Sequence, residues 1–210
     1  MEIMHGEKKS NLINYDTITG IYGDKVDLIK SGIDFNGIEY DDEWTVKRFL
    51  NGYKFNIDDS ILKLFSDLEI SYSILNKKIK NISKGQFKLV LLIYTILNIK
   101  DVIYLDYFDK GLSFKVKKRV INYLKNNYNK NLVVISNDLI FLSSICYHLI
   151  VFNNSKIVFN DDIKNIYKSN IKIEYPNIIQ FIKLANKSNA KLSYTVDNKE
   201  LAKDIYRSVT

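Results

Sequence analysis

Residues 80–106 read "KNISKGQFKLVLLIYTILNIKDVIYLD", and this stretch decides which fold the chain is expected to adopt. Ser83 stands three residues before Gln86, which is the spacing of a capping box at the start of a helix. The apolar run that follows therefore predicts a helix. The segment "DVIYLD" then ends on Asp106, and a continuous apolar run of this length is typical of a strand buried on both faces of a parallel sheet.

The segments on either side complete an α/β pattern. Residues 44–74 have mostly helical apolar spacing, and "NLVVIS", residues 131–136, predicts a second buried strand. "HLIVFNNSKIVFND", residues 148–161, predicts a hairpin that turns at Asn153, Asn154 and Ser155. Two helices are expected in the tail, one led by Pro176 and one capped by Asp197.

Composition limits the classes of function that remain open. The chain has 210 residues, 46% of them hydrophobic, and a single cysteine, Cys146, which excludes an internal disulfide. The longest apolar run, "VLLIYTIL", is too short to cross a bilayer, so we expect a cytoplasmic protein that meets the membrane only through a partner. The net charge is +7, but the dense basic run 114–127 has helical spacing that predicts a solvated face, so no nucleic-acid partner is expected.

The order of these pieces resembles the nucleotide-binding subunit of ATP-binding cassette (ABC) transporters. "ISKGQ" (82–86) is similar to the family's signature loop LSGGQ, and "VIYLD" (102–106) is similar to its Walker B strand. "DKGLS" (109–113) stands at the D-loop, and "VVISND" (133–138) stands at the switch-histidine loop. Ser83 and Asp106 are 23 positions apart, and Asp106 and Asn137 are 31 apart, close to the family's spacing.

The resemblance implies a P-loop NTPase-like α/β fold with a mostly parallel sheet, a helical subdomain, a short helical tail and a truncated Walker A region. It implies a single domain over residues 1–210, whose parts are a degenerate N-terminal and P-loop region (1–36), a helical subdomain with the signature loop (37–100), a Walker B and switch core (101–160) and a helical tail (161–210). The tail further resembles that of energy-coupling factor type ATPases.

Two cassettes of this family sandwich ATP and Mg²⁺ between them. The resemblance therefore implies that Ser83, Lys84, Gly85 and Gln86 meet the γ-phosphate of ATP bound by a partner, at the positive end of a helix. Lys84 stands where the family has a glycine and adds a charge. The resemblance places Asp109 and Ser113 in the D-loop.

The chain departs from the family pattern in its own phosphate loop. The only Walker A candidate is "GIYGDKVDLIK", residues 20–30, against the pattern G-x-x-x-x-G-K-S/T. Gly20, Gly23 and Lys25 are its vestigial members. Asp24 replaces the glycine before the lysine and sets a negative charge against the phosphates, while Val26 replaces the magnesium-binding Ser/Thr.

Three further positions lose their usual chemistry. Asp106 keeps the magnesium position, but Tyr107 replaces the catalytic glutamate, and a phenol with a pKa of about 10 does not act as a carboxylate base at neutral pH. Asn137 replaces the switch histidine and carries no positive charge. Asn36 stands at the best match for the glutamine loop. No intact catalytic set is expected.

The leading hypothesis is a catalytically inactive ABC subunit, or pseudo-ATPase. It would pair with an intact ATPase subunit, supply the signature loop to that subunit's ATP site, and drive an integral membrane component at the inner face of the membrane; a homodimer stays open. One alternative is a non-catalytic scaffold or regulatory protein, in which Ser83 and Gln86 only cap a helix. Another is an unusual active ATPase that uses Lys25 and the carboxylate of Asp109 as a base.

Overall fold

A mostly parallel sheet forms the centre of the protein. The structure is a computed structural model that describes residues 2–5, 8–11, 13, 16–23, 38–52, 59–98, 102–128, 131–154 and 156–209. Within those ranges the strands are β1 (Glu2–His5), β2 (Lys8–Asn11), β3 (Thr19–Gly23), β4 (Ile103–Asp106), β5 (Leu132–Ile135), β6 (His148–Asn153) and β7 (Lys156–Asp162). β1 and β2 form an antiparallel pair, and the other strands form one sheet in the order β4-β5-β3-β6-β7.

The central strand of that sheet is β3, which runs parallel to both β5 and β6. β4 runs parallel to β5, while β6 and β7 form the expected antiparallel hairpin. The chain therefore leaves β3, builds one side of the sheet with β4 and β5, and then returns to the other side of β3. Such a reversal of strand order is the point at which open α/β sheets bind ligands, beyond the carboxyl ends of the strands.

The described helices pack their buried side chains against one face of the sheet. Within the described residues they are α1 (Val46–Gly52), α2 (Asp59–Asp67), α3 (Lys84–Asn98), α4 (Phe114–Asn127), α5 (Leu139–Ile145), α6 (Ile163–Ile166), α7 (Asn177–Lys187) and α8 (Asn198–Val209), with 3₁₀ turns at Tyr72–Asn76 and Ile79–Asn81. None of these described helices is long and apolar enough to cross a membrane.

The helical region before α3 packs through the apolar side chains that the spacing predicts. Val46, Phe49 and Leu50 of α1 are fully buried. The ring of Phe49 lies 5.3 Å, centre to centre, from the ring of Tyr94 in α3 and 6.2 Å from that of Phe87. Aromatic pairs at such distances add to the free energy of burial, so α1 is fixed against the helix that carries the signature-like residues.

The two strands expected to be buried on both faces are confirmed. All four residues of β5 are buried, and so are the first three residues of β4, while Asp106 at its end is half-buried. The predicted fold class, an α/β domain with a mostly parallel sheet, is confirmed with them.

Candidate functional site

The start of α3 is the capping box that its sequence predicts. The backbone N–H of Gln86 donates to Ser83 Oγ at 3.1 Å, and the backbone N–H of Ser83 donates to Gln86 Oε1 at 2.9 Å. Ser83 and Lys84 are exposed, and Gly85 and Gln86 are half-buried. The first turn of this 15-residue helix therefore reaches the surface with its cap intact.

A cavity of about 480 Å³ lies beside this cap. It is bordered by the first turn of α3 and by the first turn of α4, including Ser113 and Val116. Ser113 caps α4, because its Oγ accepts from the backbone N–H of Val116 at 3.4 Å. Helix N-termini carry partial positive charge. Two of them border the same opening, which is also lined by the ion pair of Arg119 and Glu69.

The packing within this chain leaves room for a side chain at Gly85. A Cβ atom built on Gly85 would lie 3.8 Å from Leu112 Cδ2 and 4.0 Å from the carbonyl oxygen of Gly111, which are ordinary van der Waals distances. Gly111 itself has a φ of +76°, the left-handed conformation that glycine favours. The loop before α4 therefore passes close to the signature-like residues without pressing on them.

The carboxyl ends of β3, β4 and β5 meet at one edge of the sheet, here called the strand-end edge. Asp106 of β4 is paired with Ile135 of β5, and Ile135 is paired with Ile21 of β3. Just beyond these pairs, the backbone N–H of Gly23 donates to Asn137 Oδ1 at 3.3 Å. The structure thus brings Gly23, Asp106 and Asn137 to the same edge, although Gly23 and Asn137 are 114 positions apart in sequence.

The two glycines of the Walker A candidate have different surroundings. Gly23 ends β3 with a φ of +117°, and a Cβ atom there would lie 2.0 Å from the carbonyl oxygen of Phe152. Gly20 lies inside β3, where a Cβ atom would meet Cys146 Sγ at 3.1 Å. Gly20 therefore lies within β3, while Gly23 is the last residue of that strand. Burial against this strand also raises the pKa of the Cys146 thiol.

The end of β3 changes how the loop after it is counted. If the loop begins at Gly23, Lys30 and Ser31 occupy the eighth and ninth positions, whereas the pattern G-x-x-x-x-G-K-S/T has its lysine seventh and its Ser/Thr eighth. Only Lys25 was considered from the sequence for the lysine position of this pattern. Lys25 and Asn36, like this pair, lie outside the described residues.

Tyr107, which stands at the catalytic-glutamate position, holds a turn directly after β4. Its φ of +45° is unusual for a bulky residue, and its backbone N–H donates to the carbonyl oxygen of Ile135 at 2.9 Å. Lys110 Nζ lies 4.0 Å from the centre of the phenol ring, as a cation–π contact. The Tyr107 side chain therefore contacts a cation through its ring, and it has no carboxylate that could act as a base.

The burial of Asp109 argues against the base proposed for an active ATPase. Asp109 is 5% exposed, and its Oδ2 lies 3.8 Å from Lys117 Nζ. Its Oδ1 has no hydrogen-bond partner among the described residues. A general base must reach the water it activates, so the alternative that uses Asp109 as a base does not fit this geometry.

Two lysines near Asp109 were missed by sequence reasoning. Lys88 of α3 is half-buried, and its Nζ donates to the carbonyl oxygens of Tyr107 and Phe108 at 3.2 and 3.1 Å. Lys117 of α4 lies within the basic run that was assigned to a solvated face, yet its side chain is only 25% exposed. No sequence signal distinguishes these lysines from their exposed neighbours, because their partners come from other segments.

A smaller cavity of about 240 Å³ adjoins the strand-end edge. It is bordered by Tyr22 and Gly23 of β3, by Asn137, and by Lys172 and Glu174 of the segment before α7. Burial raises the pKa of the Tyr22 phenol, and the nearby negative charge of Glu174 adds to that effect. This part of the edge is therefore covered by the tail segment.

A magnesium ion fits the strand-end edge only together with a nucleotide. Asp106 is the carboxylate that ends β4 at this edge, and Mg²⁺ in nucleotide sites needs few protein ligands because phosphates and water hold most of it. Among the described residues there is no group of three or more His, Cys, Asp or Glu side chains that would hold a metal by itself.

The fold is that of ATP-binding cassettes. One similar solved structure is a transporter assigned to the metal-chelate type of ABC transporter, in an inward-facing conformation, with 15% identity, a TM-score of 0.57, and 73% of this chain and 75% of that chain covered. Another is a bacterial ABC transporter cassette solved as a dimer, with 15% identity, a TM-score of 0.56, and 74% of this chain and 88% of that chain covered.

A third similar structure is a nucleotide-free ATP-binding cassette from an ABC transporter, with 18% identity and a TM-score of 0.58. The similarity covers 81% of this chain and 96% of that chain. No family model matches the chain, and no curated protein matches it in sequence. Likeness at this level of identity establishes the cassette fold, and the chemistry has to be argued from the residues themselves.

Proposed function

We propose that this chain is an ABC-type subunit that has lost ATP hydrolysis at its own site and completes the ATP site of an intact cassette. Ser83, Gly85 and Gln86 would face the γ-phosphate of the partner's ATP. The observation that carries this proposal is the exposed capping box at the start of α3, which opens on a cavity of about 480 Å³.

The geometry at this cap supports contact with a phosphate. A helix N-terminus binds anions through free backbone N–H groups and its dipole. The hydroxyl of Ser83 is exposed, and the packing of this chain does not require glycine at position 85, so a ligand or partner that comes close to Gly85 would explain the absence of a side chain there. Lys84 adds an exposed positive charge next to the cap.

The strand-end edge supports the loss of hydrolysis. Tyr107 cannot accept a proton from water as a carboxylate does, and Lys110 lies against its ring at 4.0 Å. Asn137 accepts a hydrogen bond from Gly23 and carries no charge. Asp109 is buried. Among the described residues, Asp106 is then the carboxylate left at the end of β4, and the resemblance gives that position to magnesium and not to the base.

The proposal names the partners by their chemistry. One is an ATP-binding cassette with an intact P-loop, glutamate and histidine, which would form a heterodimer with this chain at the inner face of the membrane. The other is an integral membrane component that the pair would drive. Mg²⁺ bound with ATP at the shared site would neutralise charge on the phosphates. Asp109 and Ser113, which the resemblance places in the D-loop, are the ends of the segment 109–113, and Ser113 borders the cavity.

An ATPase assay tests this function. The chain is co-expressed with an intact cassette from a neighbouring reading frame, and hydrolysis is measured for the isolated chain and for the pair. We expect no activity from the isolated chain. We expect Ser83→Arg to lower the activity of the pair by about a hundredfold or more, because a bulky cation displaces the phosphate contact.

Ser188→Arg is the matched control, because Ser188 is an exposed serine at the end of α7 that does not border the cavity. We expect it to leave the activity of the pair unchanged. A pair that tolerates Ser83→Arg would support the scaffold alternative instead. Hydrolysis by the isolated chain, lost on Asp109→Asn, would support the active-ATPase alternative and overturn the proposal.

A further inference from the structure

A series of alternating charges runs from α3 to the start of α5. Its members are Lys88, Asp109, Lys117 and Asp138, here called the charge chain. Lys117 Nζ lies 3.8 Å from Asp109 Oδ2 and 3.3 Å from Asp138 Oδ2. Lys88 interacts electrostatically with Asp109 from the other side.

Lys88 fixes the loop after β4 against α3. Its Nζ donates to the carbonyl oxygens of Tyr107 at 3.2 Å, Phe108 at 3.1 Å and Lys110 at 2.5 Å. A lysine ammonium has three N–H donors, so these carbonyls use all of them. Burial lowers the pKa of Lys88, and the neighbouring charge of Asp109 opposes that effect. The loop cannot move away from α3 without leaving a half-buried ammonium unpaired.

Asp109 links this loop to α4. A buried carboxylate is costly unless a positive charge or a hydrogen bond compensates it. Asp109 is 5% exposed, and the positive charge nearest to its Oδ2 is Lys117. The position of the loop is therefore tied both to Lys88 of α3 and to Lys117 of α4.

The other end of the charge chain reaches the strand-end edge. Asp138 caps α5, because its Oδ1 accepts from the backbone N–H of Phe141 at 3.0 Å, while its Oδ2 faces Lys117. The residue before it, Asn137, accepts from the backbone N–H of Gly23 at 3.3 Å. The orientation of Lys117 thus affects the segment that contacts β3.

We propose that Lys88, Asp109 and Lys117 are positioning residues that hold residues 107–113 in a fixed relation to both the Ser83 cap and Asn137, so that a displacement at one is transmitted to the other. The functional meaning of the two ends rests on the function proposed above. The mechanical link between them is a property of this chain alone. It gives a physical route by which a phosphate held at the cap would be sensed at the strand-end edge.

Hydrogen exchange of the isolated chain tests the link without nucleotide or partner. In Lys88→Met the ammonium is lost and the length of the side chain is kept. We expect exchange to rise on the order of tenfold, the effect of losing one charge-assisted hydrogen bond, at the loop amides of Lys110 and Leu112. We also expect a rise at the amide of Phe141, which is capped at the far end of the charge chain.

Three further variants distinguish a transmitted effect of Lys88 from a local one. Lys88→Arg keeps the charge and should keep Phe141 protected. Lys115→Met removes an exposed lysine of the same helix as Lys117 and should change neither region. In the double variant Lys88→Met with Lys117→Met, exchange at Phe141 should match that of Lys117→Met alone, because the two lysines act in series.

Faster exchange at Lys110 and Leu112 with no change at Phe141 would overturn the proposal, since Lys88 would then have only a local structural role. If Lys88→Met does not fold, Lys117→Met tests the link from its other end. Unchanged exchange at the amide of Lys110 in Lys117→Met would then overturn the proposal. Failure of the ATPase prediction for Ser83→Arg would leave the exchange result standing. Failure of the exchange prediction would leave the trans role of Ser83 standing.

Discussion

The cap at the start of α3 is formed by one segment of the chain, whereas the strand-end edge is formed by several segments that must pair correctly. The cap is made by Ser83 and Gln86, which lie three residues apart and bond to each other. The edge needs β3, β4 and β5 in register, and its contact between Gly23 and Asn137 spans 114 positions. A surface that only has to present a hydroxyl and a helix end therefore depends on one segment of the chain, whereas the strand-end edge depends on three strands in register.

The two regions are nevertheless neighbours along the chain. The loop that leaves the strand-end edge at Tyr107 arrives at the cavity beside the cap at Ser113. Its backbone takes left-handed conformations at Tyr107 and at Gly111. A change at one region is therefore expected to differ in cost from the same change at the other, and glycine substitution makes the difference measurable.

The largest effect is expected from Gly23→Ala at the strand-end edge. Its φ of +117° disfavours any side chain, and a Cβ atom would lie 2.0 Å from the carbonyl oxygen of Phe152, so the pairing of β3 with β6 must shift. We expect a loss of about 3 kcal/mol or more in the free energy of unfolding, or no folded protein. Urea denaturation followed by circular dichroism measures it.

Gly111→Ala is the matched control on the cavity side. Its φ is +76°, but nothing lies within 4 Å of a Cβ atom built there. The cost should be limited to the conformational term, about 1–2 kcal/mol. Equal costs for Gly23→Ala and Gly111→Ala would mean that the contact with Phe152 relaxes freely, and that the edge is less constrained than the geometry indicates.

A smaller effect is expected from removing the two caps beside the cavity. Ser83→Ala breaks a reciprocal capping box with a 3.1 Å bond and should cost about 1 kcal/mol. Ser113→Ala breaks a single, longer bond of 3.4 Å and should cost about half as much. The same denaturation experiment compares them. A larger loss for Ser113→Ala would show that α4, and not α3, holds the cavity in place.

The parts of the fold that depend on local pattern could be predicted. The capping box is decided by Ser83 and Gln86, and the buried strands by continuous apolar runs that only a sheet covered on both faces accommodates. The hairpin of β6 and β7 follows from the polar turn between two apolar runs. The order of strands in the sheet was not predicted, because pairing across more than a hundred positions leaves no local signal.

The site was less predictable for the same reason. Gly20 and Gly23 look alike in sequence, and only the bounds of β3 show that one lies inside the strand and the other is its last residue. Asp109 looks like an available base until Lys117 and Lys88 enclose it from two helices. The polar character of a residue is read from the sequence, whereas its exposure depends on partners from distant segments.

The smallest effect is expected from Tyr107→Glu, which should leave the isolated chain without ATP hydrolysis. This change restores a carboxylate at the position after Asp106. Lys110, which lies 4.0 Å from the centre of the phenol ring, is placed to pair with the new carboxylate. Asn137 would still carry no charge, and Asp24 would still stand in the loop after Gly23.

An assay of ATP hydrolysis by isolated Tyr107→Glu, beside the unaltered chain, measures this. The double variant Tyr107→Glu with Lys110→Met removes the competing cation and shows whether that pairing hides a competent base. Hydrolysis by the single variant would mean that the strand-end edge lacks one carboxylate only, and that the contrast with the cap is one of a single residue. If neither variant hydrolyses ATP, the loss of catalytic groups extends to the phosphate loop and to Asn137. We expect that result for a subunit that supplies its cap to a partner's nucleotide.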